Sequence, residues 1–136
     1  MAQPAVPKPA FVAEPGLLVA RWPGESSPVA LQAEYEALLG QATTAHASRW
    51  LLDVRRRAMP PLDLLNWIVL NWLPRAAARY PPGSLAVAYL VAPERATAFA
   101  ADTYLAGYLH DALAPDRHYR VALFDDEARA RHWLLA

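Results

Sequence analysis

Three consecutive arginines, Arg55, Arg56 and Arg57, separate the apolar run Trp50-Leu51-Leu52-Asp53-Val54 from the prolines Pro60 and Pro61. A guanidinium presents paired donors that match carboxylates and phosphates, so three of them at a strand–helix junction could hold an anion. The two prolines weaken that idea, because they remove two of the backbone donors a helix start would add. The alternative is a solvated junction, in which the arginines pair with acids such as Asp53 or Asp63 and contribute little.

A second group of residues could bind apolar matter. Trp67 and Trp72 stand with Leu64, Leu65, Ile68, Val69 and Leu73 in a segment that is apolar almost all round when drawn as a helix. One face must pack on the rest of the fold. The other either meets a partner, with Trp67, Ile68, Trp72 and Leu73 as a homodimer interface, or is covered by neighbouring loops. Tyr104 and Tyr108 are four apart and share a helix face, beside the small residues Ala106 and Gly107. They line a pocket or belong to the core.

Catalytic chemistry finds little here. There is no Cys, and the four serines (Ser26, Ser27, Ser48, Ser84) stand in no nucleophile elbow. His46, His110, His118 and His132 lack metal-ligand spacing, and no Gly-rich phosphate loop occurs. The expectation is a non-enzymatic protein without metal or cofactor. An acid–base site built from scattered Asp and His remains an alternative, since such sites assemble in space rather than in sequence.

The elements that must position these residues follow from pattern. The 136 residues suit one domain, and 55% hydrophobic against 19% charged residues is a globular composition. Basic and acidic residues balance at 13 each, which argues against nucleic acid as a partner. No apolar stretch reaches the ~20 residues of a membrane span, and residues 1–9, with three prolines, read as a flexible lead-in to a single domain over 10–136. The absence of Cys fits a reducing, cytoplasmic setting.

Ala10–Ala13 and Leu17–Trp22, joined by Glu14-Pro15-Gly16, read as a hairpin. Ser27-Pro28 starts a helix whose stripe is Leu31, Tyr35, Leu38, Leu39 and Ala42. Trp50–Val54 reads as a buried strand. Pro61 to about Tyr80 is a helix that Pro74 must kink or split. Leu85–Val91 is an apolar strand, Pro93 to about Leu113 a helix, and Tyr119–Phe124 the last strand. Asp125-Asp126-Glu127 opens a final helix with Ala130, Trp133 and Leu134 inward. The order is β-β-α-β-α-β-α-β-α, an α/β fold with a mixed, mostly parallel sheet flanked by helices.

This order resembles the STAS domain and the wider SpoIIAA-like group of small bacterial proteins. Three stretches are similar to members of that group: Trp50-Leu51-Leu52-Asp53-Val54-Arg55, Trp72-Leu73-Pro74-Arg75, and the ending Phe124-Asp125-Asp126-Glu127 with Ala130, Trp133 and Leu134. The resemblance covers roughly residues 10–136. It implies a regulatory or protein-interaction module. Switch members of the family carry a phosphorylated Ser or Thr after the central strand, but residues 53–67 contain neither, so no such switch is expected. Two readings follow. One is a self-associating interaction module, expected to be a homodimer. The other is a carrier or sensor of a small apolar or amphipathic anion, held by Trp67, Trp72, Tyr104 and Tyr108 with Arg55–Arg57 at the head group.

Overall fold

The computed structural model describes residues 8–58, 60–102, 107 and 118–136. Its centre is a five-stranded sheet in the order β1 (Ala10–Glu14), β2 (Leu17–Arg21), β3 (Arg49–Asp53), β4 (Leu85–Leu90), β5 (Tyr119–Phe124). β1 and β2 are antiparallel; every later pairing is parallel. The hairpin turn needs Gly16, whose φ of 73° is accessible without penalty only to glycine.

Period-two alternation divides the core between the two faces of the sheet. Leu18, Ala20, Trp50, Leu52, Leu85 and Val87 face α1 (Pro28–Ala45) and the helical segment that begins at Leu62. Leu17, Val19, Leu51, Ala86, Ala88 and Leu90 face the last helix, α5 (Glu127–Leu135), through its Ala130 and Leu134. α1 forms as its sequence dictates. The Ser27 hydroxyl accepts the Ala30 N–H, Pro28 occupies the first turn, and Leu31, Tyr35, Leu38, Leu39 and Ala42 are buried. His46 closes it in the left-handed conformation, φ 54°.

The segment expected to kink or split at Pro74 widens just before it. α2 (Leu62–Trp67) passes into a π-helical stretch, Ile68–Trp72, and then α3 (Leu73–Ala77). The Leu73 N–H reaches back five residues to the Ile68 carbonyl. Pro74 has no N–H to donate to Leu70, and its ring crowds that carbonyl in a regular helix; the wider turn relieves both problems. α4 (Pro93–Ala101) is shorter than the apolar pattern suggests. It ends where Asp102 turns extended, and the expected continuation toward Leu113 lies outside the described residues. No helix among the described residues is long and apolar enough to cross a membrane.

Candidate functional site

The three arginines form a turn at the carboxyl end of β3. The Val54 N–H still donates to the Leu90 carbonyl across β3 and β4, at 2.9 Å, and the Arg57 N–H then folds back to the Val54 carbonyl at 3.0 Å. This tight return sends the three side chains in different directions.

Arg55 turns back on Asp53, its Nε and Nη2 donating to the two carboxylate oxygens at 2.9 and 2.8 Å. Asp53 is 7% exposed and also accepts from Arg21 at 2.8 Å. Arg21 in turn holds Glu127, at the start of α5, through two hydrogen bonds of 2.8 and 2.9 Å. Arg131 donates to Glu127 and, across to β1, to Glu14. The network therefore ties both ends of the hairpin and the end of β3 to α5. Burial alone would raise the Asp53 pKa, but the hydrogen bonds from Arg55 and Arg21 outweigh it and hold the carboxyl below the usual range. Arg21 and then Arg131 bring Glu127 down to about 2 against the opposing effect of burial.

That depression makes stability depend on acid. The Glu127 contribution is complete above its unfolded pKa of 4.5 and is lost as the pH falls toward 2. Allowing for its partial exposure, it amounts to about 1–2 kcal/mol. Glu127→Gln should lower the urea midpoint at pH 7, and the gap from the parent should close as the pH approaches 2. A gap of constant size between pH 6 and pH 2 would show that the ion pairs are not its source.

Arg57 points the other way, toward an apolar cavity of about 100 Å³. The strand ends supply Val54, Tyr89, Val91, Val121 and Leu123 to its wall. Leu31 and Tyr35 come from α1, and Leu65, Ile68, Val69 and Leu73 from the α2–α3 segment. Arg57 and Arg95 are the charged residues of the lining. Arg57 donates to the Gly24 carbonyl at 3.1 Å and to the Ser26 hydroxyl at 2.7 Å. Ser26 donates onward to Glu34, which also accepts the Trp22 indole N–H. The guanidinium is thus fixed in place without touching a carboxylate. Among the described residues the ion-paired arginines are Arg21, Arg55, Arg75, Arg129 and Arg131; neither Arg57 nor Arg95 is among them.

In the same wall the Tyr35 and Tyr89 hydroxyls meet at 2.9 Å. Burial pushes Tyr35 up to about 12, with the Tyr89 hydrogen bond and the Arg57 charge pulling weakly the other way. Burial, with Tyr35 beside it, raises Tyr89 well above its ordinary value. Both stay protonated at neutral pH, so the pair can donate a proton in a hydrogen bond but does not serve as a base.

Among the described residues expected at an anion site, only Arg57 lines the apolar cavity. Arg55 is engaged by Asp53, as the solvated-junction alternative held. Arg56 is exposed on a separate polar cleft with Lys8, Arg21, Asp53 and Glu127. The expected interface needs correction. Ile68, Trp72 and Leu73 are 4%, 0% and 1% exposed, so they cannot form an outer seam. Trp72 lies between Tyr35 and Trp50 and donates its indole N–H to the Tyr35 carbonyl at 3.0 Å. Trp67 is half-buried against Tyr35, with the Arg75 guanidinium over its ring. Neither tryptophan lines the cavity, because their rings pack inward on α1. Tyr104 and Tyr108 lie outside the described residues. Sequence reasoning placed Tyr35 in a helix and Tyr89 and Trp22 in strands but not at a site, and did not single out Arg95. Tyr89 carried a usable signal, since it is the single hydroxyl-bearing residue in the otherwise apolar run Leu85–Leu90. No group of acids and histidines suited to a metal ion occurs among the described residues.

Compared with known proteins, the chain matches no family model, no curated protein and no solved structure.

Proposed function

We propose that this protein is a non-enzymatic binding module, a carrier or sensor that takes a small amphipathic anion into the cavity at the carboxyl ends of β3, β4 and β5. The observation that carries the reading is Arg57, a guanidinium fixed at an apolar cavity without a carboxylate partner among the described residues. A positive group kept beside apolar walls favours an anionic head, and the walls favour an apolar tail. Trp22, also in the lining, gives a fluorescence signal for occupancy.

The test separates the three arginines. A small apolar carboxylate such as hexanoate should raise the melting temperature of the parent protein. Arg57→Ala should weaken binding by roughly 10-fold or more, the worth of a charge-assisted hydrogen bond. Arg56→Ala should leave affinity unchanged. Equal affinities in the parent and in Arg57→Ala would overturn the reading.

The STAS-like interaction module is the second reading, and one observation favours it. Leu62, in α2, and Leu70, in the π-helical stretch, are 49% and 68% exposed, eight residues apart. Self-association through that strip predicts a dimer by sedimentation that Leu70→Glu reduces to monomer; a monomeric parent at high concentration removes this reading.

A further inference from the structure

We infer, on the basis of the ligand-binding reading above, that the ligand is a short-chain monocarboxylate whose head group accepts a hydrogen bond from the Tyr35–Tyr89 pair. Two hydroxyls that share one hydrogen bond have two protons between them. One proton lies in the 2.9 Å contact, whichever oxygen donates. The other has no protein acceptor recorded among the described residues. Tyr35 is 3% exposed and Tyr89 is half-buried, so water has limited access to the pair. A buried O–H without an acceptor costs free energy, and a ligand oxygen relieves the cost.

The donor set selects the head group. Burial keeps both phenols protonated. The wall therefore offers an O–H donor and the Arg57 guanidinium, with Arg95 also in the lining and no carboxylate side chain among its described residues. Such a wall suits a group that only accepts hydrogen bonds and carries negative charge. A carboxylate meets both conditions with two oxygens; a phosphate monoester, partly protonated near neutral pH, brings a third oxygen and an O–H that finds no carboxylate among the described lining residues. A neutral amide of equal length brings an N–H₂ that finds no side-chain carboxylate there. An alcohol brings no charge for the arginines.

Volume limits the tail. A dry cavity of ~150 Å³ accommodates a six-carbon ring, so about 100 Å³ accommodates a chain of roughly four carbons. Each methylene up to that length should tighten binding by roughly fourfold, and longer chains should gain nothing further because they must leave the cavity.

The experiment is a calorimetric titration of the intact protein with butyrate, pentanoate, hexanoate and decanoate, and with pentanamide, pentanol and pentyl phosphate. The expected result is a rise in affinity to pentanoate or hexanoate, no further gain for decanoate, and at least 10-fold weaker binding of the amide, alcohol and phosphate. In Tyr35→Phe or Tyr89→Phe the surviving hydroxyl donates to the ligand, so pentanoate affinity should fall less than threefold. In the double variant Tyr35→Phe/Tyr89→Phe it should fall about 10-fold, with the fold checked by circular dichroism. If the double variant does not fold, the contrast between pentanoate and pentanamide in the parent protein decides the matter. Equal binding of carboxylate and amide, preference for the phosphate, or tighter binding of decanoate would overturn this inference while leaving a ligand-binding cavity. Absence of binding by every compound would overturn the cavity reading as well.

Discussion

Trp72→Ala will lower the free energy of unfolding by about 4 kcal/mol, whereas Trp67→Ala will cost about 1–2 kcal/mol. The two tryptophans are five residues apart in one helical segment, and composition does not separate them. Trp72 has no exposed surface. Its ring meets Tyr35 edge-on at 4.6 Å and Trp50 at 5.6 Å, and its N–H donates to the Tyr35 carbonyl. Truncation there leaves a large void, removes a buried hydrogen bond and loosens Tyr35. Trp67 is half-buried, and solvent can fill most of the space it leaves. Chemical denaturation of both variants checks the difference. Equal costs would mean that the Trp72 site collapses or that Trp67 carries more of the core than its burial indicates. Because of the same burial, Trp72→Glu would place a charge in the core, so loss of an oligomer in that variant would say nothing about an interface.

Arg21→Met will destabilise the protein by about 2–3 kcal/mol at pH 7, and the penalty will shrink as the pH falls toward 2. One guanidinium bridges Asp53 and Glu127, joining the end of β2 to the end of β3 and the start of α5. Its removal leaves Asp53, nearly buried, with Arg55 as its remaining cation, and leaves Glu127 with Arg131, its secondary contact to Arg55 being 3.7 Å. The value lies between that of exposed pairs and that of fully buried ones, because Arg21 itself is 40% exposed. Arg56→Met, on a side chain without an ion pair among the described residues, should fall within about 0.5 kcal/mol of the parent. Should the two variants prove equally stable, the network would be no more than surface charge.

The sequence by itself determined the elements and most of the sheet's character. Ser27-Pro28 specified a helix start because a hydroxyl cap and a preset φ act within one turn of chain. Leu85–Leu90 specified a strand covered on both faces because every side chain but that of Tyr89 is apolar. Tyr119–Phe124 and the Asp126 cap of α5 were legible for the same local reasons. The site was legible only in its location, the end of β3.

Only the tertiary structure decided what each arginine does. The hydrogen bond from Val54 to Leu90 and the return from Arg57 to Val54 fix the turn, and these depend on β4, which is distant in sequence. The turn leaves Arg55 beside a nearly buried carboxylate and Arg57 beside an apolar wall. Burial of Trp72 was equally out of reach. A helix apolar on nearly every side does not state which side faces inward until α1 and β3 are packed against it, and the π-helical turn before Pro74 rotates that choice further. The tyrosine pair joins residues 54 positions apart, from a helix and from a strand. No spacing rule connects them; the sheet does, by placing the end of β4 under α1.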